Sequence, residues 1–275
     1  MVVPSSDDRF LIRMFGPIEV EYQGRRIGPT GFGGLKAKQI LEILLLRRGH
    51  PVTKEQLAEE LWTEEERPVN VPATLETYVS VLRRSLDPDG CAGRTLIRTE
   101  PGAYRLAADL VDLDLDRFDA LCERASLLDA TRALELLAEA LSLVRGDVLE
   151  DEPYAGWSER VRDRYRQRWL DARLMAAELA MTRGAFDEAL HHAADIVEAE
   201  PLHEPAYRVQ MIASYALGRQ DRALRVYARC RDTLDAELGV EPVEETSAVL
   251  DGIRRHAALG VLLDLHMLGS TLAAS

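Results

Sequence analysis

The chain has 275 residues, of which 47% are hydrophobic and 29% charged, an ordinary globular composition for about two domains that excludes collagen, disulfide scaffolds and wholesale disorder. No uncharged apolar run approaches the ~20 residues of a membrane span, and the acidic start MVVPSSDDRF is unlike a signal peptide, so a cytoplasmic, nucleoid-associated protein with no membrane partner is expected. The net charge of −13 is uneven: residues 1–110 carry 15 Lys+Arg against 16 Asp+Glu, residues 111–275 carry 19 against 31, and all three lysines lie in the first part, which can therefore still present a basic face.

In chain order, residues 10–14 (FLIRM) and 18–22 (IEVEY) read as short strands around a Gly16-Pro17 break, and Arg25–Ile27 extends them. PTGFGG is a loop. The period then changes: Ala37, Ile40, Leu41, Leu44 and Leu45 recur at helical spacing, and Gly49 ends that helix. Thr53 followed by Gln56 is a capping box for a second helix, TKEQLAEELW. After the polar connection TEEERPVN, a third helix runs from Pro72 to Leu86 and stops at Asp87-Pro88-Asp89-Gly90. Leu96–Thr99 and Ala103–Leu106 then flank Glu100-Pro101-Gly102 as a hairpin. Strands, three helices and a closing hairpin make a winged helix-turn-helix.

Residues 107–116 (AADLVDLDLD) read as a polar linker, and their aspartates lack the glycine and terminal glutamate of a calcium loop. Beyond them nearly everything is helix-periodic. Gly184/Gly218, Ala189/Ala223 and Leu190/Leu224 are each 34 residues apart, the tetratricopeptide period. Two such units rarely stand alone, so helices near 131–144 and 157–180 are expected to stack on them. The fold class is therefore mainly α with a small β component. Residues 1–108 form the winged helix, 109–256 an all-α tetratricopeptide-like domain, and 257–275 a C-terminal tail.

The third helix carries the candidate chemistry. With Leu75 at zero on a helical wheel, Val79, Leu82 and Leu86 fall within about 40° of it and form the core stripe. Ala73, Thr77, Ser80 and Arg84 lie opposite, flanked by Glu76, Arg83 and Val81. Small residues admit the backbone to a major groove, hydroxyls reach phosphates or base edges, and arginine forks take phosphate or guanine. Thr77, Ser80, Arg83 and Arg84 are the candidate recognition contacts. Lys36, Lys38, Lys54, Arg98, Thr99, Gly102 and Arg105 are candidate wing and backbone contacts.

Competing signals are weaker. GFGGLK has Lys36 where a GxGxxG loop needs its third glycine. In WSERVRDRYRQRWLDAR, Trp157, Val161, Tyr165 and Trp169 form an apolar stripe, and the arginines read as a solvated face, with contact to DNA or to an acidic surface of polymerase as the alternative. His191, His192 and His203 lack a carboxylate to complete a metal site; surface or capping roles suit them. Cys91, Cys122 and Cys230 match neither a zinc clip nor a redox pair. No GxSxG or HExxH is present, so neither an enzyme nor a cofactor is expected.

Taken together, LKAKQILEILLLRRGHPVTKEQLAEELW, ATLETYVSVLRRSL and LIRTEPGAYRL resemble the OmpR/PhoB-type winged helix of the Streptomyces antibiotic regulatory proteins (SARP family). VDLDLDRFDAL, LVRGDVLEDEPYAGW and DAELGVEPVEET resemble the bacterial transcriptional activation domain that follows it there. The resemblance spans roughly residues 10–255 and identifies a small, two-domain member. It implies a transcriptional activator that binds direct repeats at promoters of a secondary-metabolite cluster, with protomers side by side, and that recruits RNA polymerase holoenzyme including its sigma factor. It places recognition contacts on Thr77, Ser80, Arg83 and Arg84 and wing contacts on Arg98, Thr99 and Gly102. Larger relatives add a nucleotide-binding module, whose GxxxxGK[ST] loop does not occur here. The rival readings are a helical-repeat protein–protein adaptor and a repressor that uses the same winged helix.

Overall fold

The computed structural model describes residues 9–87 and 96–273, the side chains of 267–273 excepted. Cys91, the first eight residues and the Pro88–Gly90 stop lie outside the described residues. Two compact units form: residues up to 120 with 142–166, and residues 121–141 with 167 onward.

In the first unit, β1 (Phe10–Arg13), β2 (Glu19–Tyr22) and β3 (Arg25–Ile27) form an antiparallel meander. The alternation places Phe10, Ile12, Val20 and Ile27 inside. α1 (Leu35–Leu46), α2 (Lys54–Leu61) and α3 (Val71–Leu86) follow. The predicted capping box of α2 is present: Thr53 Oγ1 accepts the Gln56 N–H at 3.1 Å and Gln56 Oε1 accepts the Thr53 N–H at 3.0 Å. The wing pairs β5 (Ile97–Glu100) with β6 (Ala103–Leu106), and Val52–Thr53 adds to β6 as β4.

Residues 107–116 are not a linker. Val111–Leu113 is a strand, β7, parallel to β1, giving the sheet order β3-β2-β1-β7. The aspartates mask the pattern, for in LVDLDLD the leucines alternate and Leu110, Leu113 and Leu115 are buried. Asp114 opens α4 (Asp114–Ala125) and its carboxylate accepts the N–H groups of Met14 at 2.9 Å and Phe15 at 3.0 Å, satisfying donors left where β1 ends. Residues 142–166 also belong to this unit. The Leu149 N–H donates to Met14 O at 2.9 Å, the Gly16 N–H donates to Asp147 O at 2.9 Å, and Phe15, Phe118 and Tyr165 pack edge to face.

The glycine-rich loop has a packing role. Pro29–Phe32 form a 3₁₀ turn whose Phe32 is buried, and Gly33 follows at φ 83°. A β-carbon on Gly33 would collide with the Val81 side chain of α3 and crowd Ser85. Gly33→Ala should therefore cost about 1–3 kcal/mol, read as a lower urea midpoint, with α3 displaced. An unchanged midpoint would show that the loop tolerates a side chain.

The second unit is helical: α5 (Ala130–Leu143) and α6 (Gly156–Thr182) each give it part of their length. α7 (Phe186–Ala199), α8 (Glu204–Ala216), α9 (Gln220–Leu238) and α10 (Glu244–Arg254) lie within it. The 34-residue repeat is visible in the backbone. Gly184 and Gly218 both sit at φ 74°. The next N–H groups, of Ala185 and Arg219, donate to Ala180 O and Ser214 O, both at 2.9 Å; this is a left-handed helix stop used twice. His203 takes the predicted capping role, accepting the Ala206 N–H at 3.3 Å. The expected tail is instead a helix, α11 (Leu259–Ala273), with Leu262 in the core and buried His266 2.8 Å from Glu178.

Candidate nucleic-acid interface

α3 is oriented as its periodicity predicts. Leu75, Val79, Leu82 and Leu86 are buried, whereas Ala73, Glu76, Thr77, Ser80 and Arg84 are exposed. Asn70 caps the helix by accepting the Ala73 N–H at 3.2 Å. Thr77 Oγ1 donates to Ala73 O at 2.9 Å, which leaves its lone pairs facing outward. Arg84 makes no hydrogen bond or ion pair among the described residues.

Arg83 has a different partner. It points at the wing, where its Nε and Nη2 donate to Ile97 O at 3.1 and 2.7 Å and Nη2 also donates to Thr99 Oγ1 at 2.8 Å. This bidentate clamp fixes the β5 edge against the third helix. Spacing alone does not reveal it, because Ile97 and Thr99 lie 14 and 16 residues further on.

Glu76, an acid on the outward face, is paired with Lys54 at 2.7 Å, and the hydrogen bond that the Lys54 ammonium donates to Glu76 holds its pKa above its ordinary range. That ammonium also stands 5.8 Å from the ring centre of Tyr104, a buried wing residue that sequence reasoning missed. The Lys54 N–H donates to Gly102 O at 2.9 Å, so the wing tip, where Gly102 turns at φ 70°, is anchored to the start of α2.

The remaining candidates divide. Arg98 and Thr99 are exposed on the wing; Arg98 is 3.6 Å from Asp109. Arg105 is half-buried and pairs with Glu100 at 2.8 Å. Lys36 donates to Leu61 O, tying the start of α1 to the end of α2. Lys38 is not on the surface at all. Its side chain is 5% exposed and ion-paired with Glu152 at 2.7 Å, Glu42 at 3.5 Å and Asp151. Buried in that cluster, its ammonium cannot meet a phosphate. Thr77, Ser80 and Arg84 are thus exposed on α3, and Arg98, Thr99 and Gly102 on the wing; Thr99 faces α3 through Arg83, while Arg98, the next residue along the strand, points to the other face of the hairpin toward Asp109.

Among the described residues, no group of three His, Cys, Asp or Glu side chains is placed to hold a metal, and no helix is long and apolar enough to cross a membrane.

Two family models match. Residues 34–106 match "Transcriptional regulatory protein, C terminal" and residues 113–254 match "Bacterial transcriptional activator domain". The chain is 29% identical over 255 residues to the transcriptional regulatory protein MoaR1 of Mycobacterium tuberculosis, covering 91% of this chain and 81% of that one. It is 31% identical over 245 residues to the regulatory protein DnrI of Streptomyces peucetius, covering 84% and 87%. The solved structure of Mycobacterium tuberculosis EmbR in complex with a low affinity phosphopeptide superposes with a TM-score of 0.81 at 25% identity, over 97% of this chain and 71% of that one.

Proposed function

The chain belongs to the Streptomyces antibiotic regulatory protein family of transcriptional regulators, and from that premise we propose that it is a sequence-specific activator that docks on direct repeats at promoters of a secondary-metabolite cluster and recruits RNA polymerase holoenzyme, including its sigma factor. The observation that carries this reading is the exposed face of α3, on which Arg84 makes no hydrogen bond or ion pair among the described residues. In this reading Thr77, Ser80 and Arg84 read base edges while Arg98, Thr99 and Gly102 meet the backbone. Residues 1–108 serve DNA binding and 109–256 serve activation. Protomers stand side by side without the dyad of a palindrome binder. DNA contacts hold the chain beside polymerase in the cytoplasm, and a coupling of ~1–3 kcal/mol raises promoter occupancy roughly five- to 150-fold.

Fluorescence anisotropy on fragments of the promoters nearest the gene tests this. Arg84→Ala should weaken binding by ~1–3 kcal/mol if its guanidinium takes a base edge in a bidentate pair, and log K should fall linearly with log salt. Arg83→Ala should weaken all sequences alike, because it loosens the wing. No binding to any fragment would favour the adaptor. Binding with an unchanged or reduced transcript in a reaction with purified polymerase would sink activation and leave a repressor.

A further inference from the structure

We propose that the first unit holds a binding site for a small amphipathic carboxylic acid, in a cleft between α1–α2 and the first turns of α6. The cleft measures about 470 Å³, inside the roughly 300–1,000 Å³ of small-molecule sites. Its apolar lining comes from Ile43 and Leu46 on α1 and from Trp157 and Val161 on α6. Trp157 and Val161 belong to the stripe of every fourth residue in WSERVRDRYRQRWLDAR, whose other large members, Tyr165 and Trp169, do not line the cleft.

The charge at this site is unbalanced. Arg160 lines the cleft and makes no hydrogen bond or ion pair among the described residues. Arg47 lines it too, and its ion pair with Glu60 is stretched to 3.9 Å. A ligand here meets apolar surface that includes the Trp157 indole, and two guanidinium groups with donors to spare. Arginine forks match carboxylate geometry, and an apolar body displaces water from Ile43, Leu46, Trp157 and Val161. A cation would face Arg160 and is disfavoured; a neutral body would leave the guanidiniums unused. The occupant is a monocarboxylic acid of small-molecule size with an apolar body. Glu60 of α2 also lines the cleft, so a bound acid touches the helix just before the recognition helix and would shift DNA affinity. That consequence rests on the DNA-binding reading, whereas the site does not.

Titration calorimetry on the full chain, without DNA, separates the two. Naphthoate is the probe and naphthylmethanol its uncharged counterpart. Naphthoate should bind saturably at one site. Naphthylmethanol, and naphthoate on Arg160→Gln, should bind about ten- to a hundredfold more weakly, the loss of a charge-assisted contact. Leu46→Trp, which fills the cleft, should abolish binding while circular dichroism stays unchanged. No heat up to the solubility limit of naphthoate would overturn the proposal, as would equal affinity for the alcohol or for the Arg160→Gln chain. A naphthoate site with no effect on DNA affinity would sink only the coupling, and loss of DNA binding in the naphthoate-free chain would leave the site standing.

Discussion

Lys38→Met should destabilise the protein by ~3–5 kcal/mol, the range for removing one partner of a buried ion pair, read as a fall in urea midpoint with the slope unchanged. The ammonium is a single cation among three carboxyl groups, Glu152 at 2.7 Å, Glu42 at 3.5 Å, and Asp151, of which Glu42 keeps its proton at neutral pH. Burial would lower its pKa, yet the hydrogen bonds it donates to Asp151 and Glu152 and the nearby Glu42 raise it above the ordinary lysine value. Methionine keeps the length of the side chain and deletes the charge, so the carboxylates remain buried and uncompensated. Adding Glu152→Gln should return part of the loss, because an amide can still accept from Gln39, whose Nε2 now donates to Glu152 at 2.8 Å. If the single and double variants unfold with the wild type, the cluster contributes nothing and the estimate is wrong.

Why the sequence misled at Lys38 is a matter of distance along the chain. Lys36 and Lys38 look alike as a basic pair before a helix. Two positions apart on a helix, however, they point to different sides. Residues 37 to 45 of α1 are all buried, so the second lysine had to find a partner inside. That partner comes from Asp151 and Glu152, 113 residues away from Lys38 and Gln39 respectively, in a stretch that no local spacing connects to α1. The same blindness hid β7, whose parallel partner β1 is about a hundred positions back, and the Arg83 clamp on the wing.

What was legible was local or periodic. The leucine stripe of α3 decided which face was buried, and therefore that Thr77, Ser80 and Arg84 are exposed. The Thr53–Gln56 box needs only a spacing of three residues. The repeat announced itself through Gly184 and Gly218, because each needs a positive φ at a helix stop that a residue with a β-carbon enters at a cost. A surface made of one helix face can thus be read from one segment, while a buried ion cluster stitched from two distant ones cannot.

The same cluster makes stability fall with rising pH. Glu42 is fully buried, and its carboxylate oxygens accept no hydrogen bond among the described residues. Burial, partly opposed by Lys38 and reinforced by Glu152 and Asp151, pushes its pKa up from 4.5 to about 8. The folded protein therefore holds a proton that the unfolded chain releases above pH 4.5. The stability this confers is complete below that value and is lost as the pH climbs through about 8. The full difference is on the order of 5 kcal/mol. Glu42→Gln isolates it, since the amide keeps the shape of the neutral acid but cannot ionise. The two proteins should unfold at similar urea concentrations near pH 4.5, and the variant should gain over the wild type up to about pH 8 and hold that advantage, without further gain, beyond it. Parallel curves across that range would mean that Glu42 ionises in the folded protein as freely as in the unfolded chain, and Lys38 would then be sharing its charge among three anions rather than two.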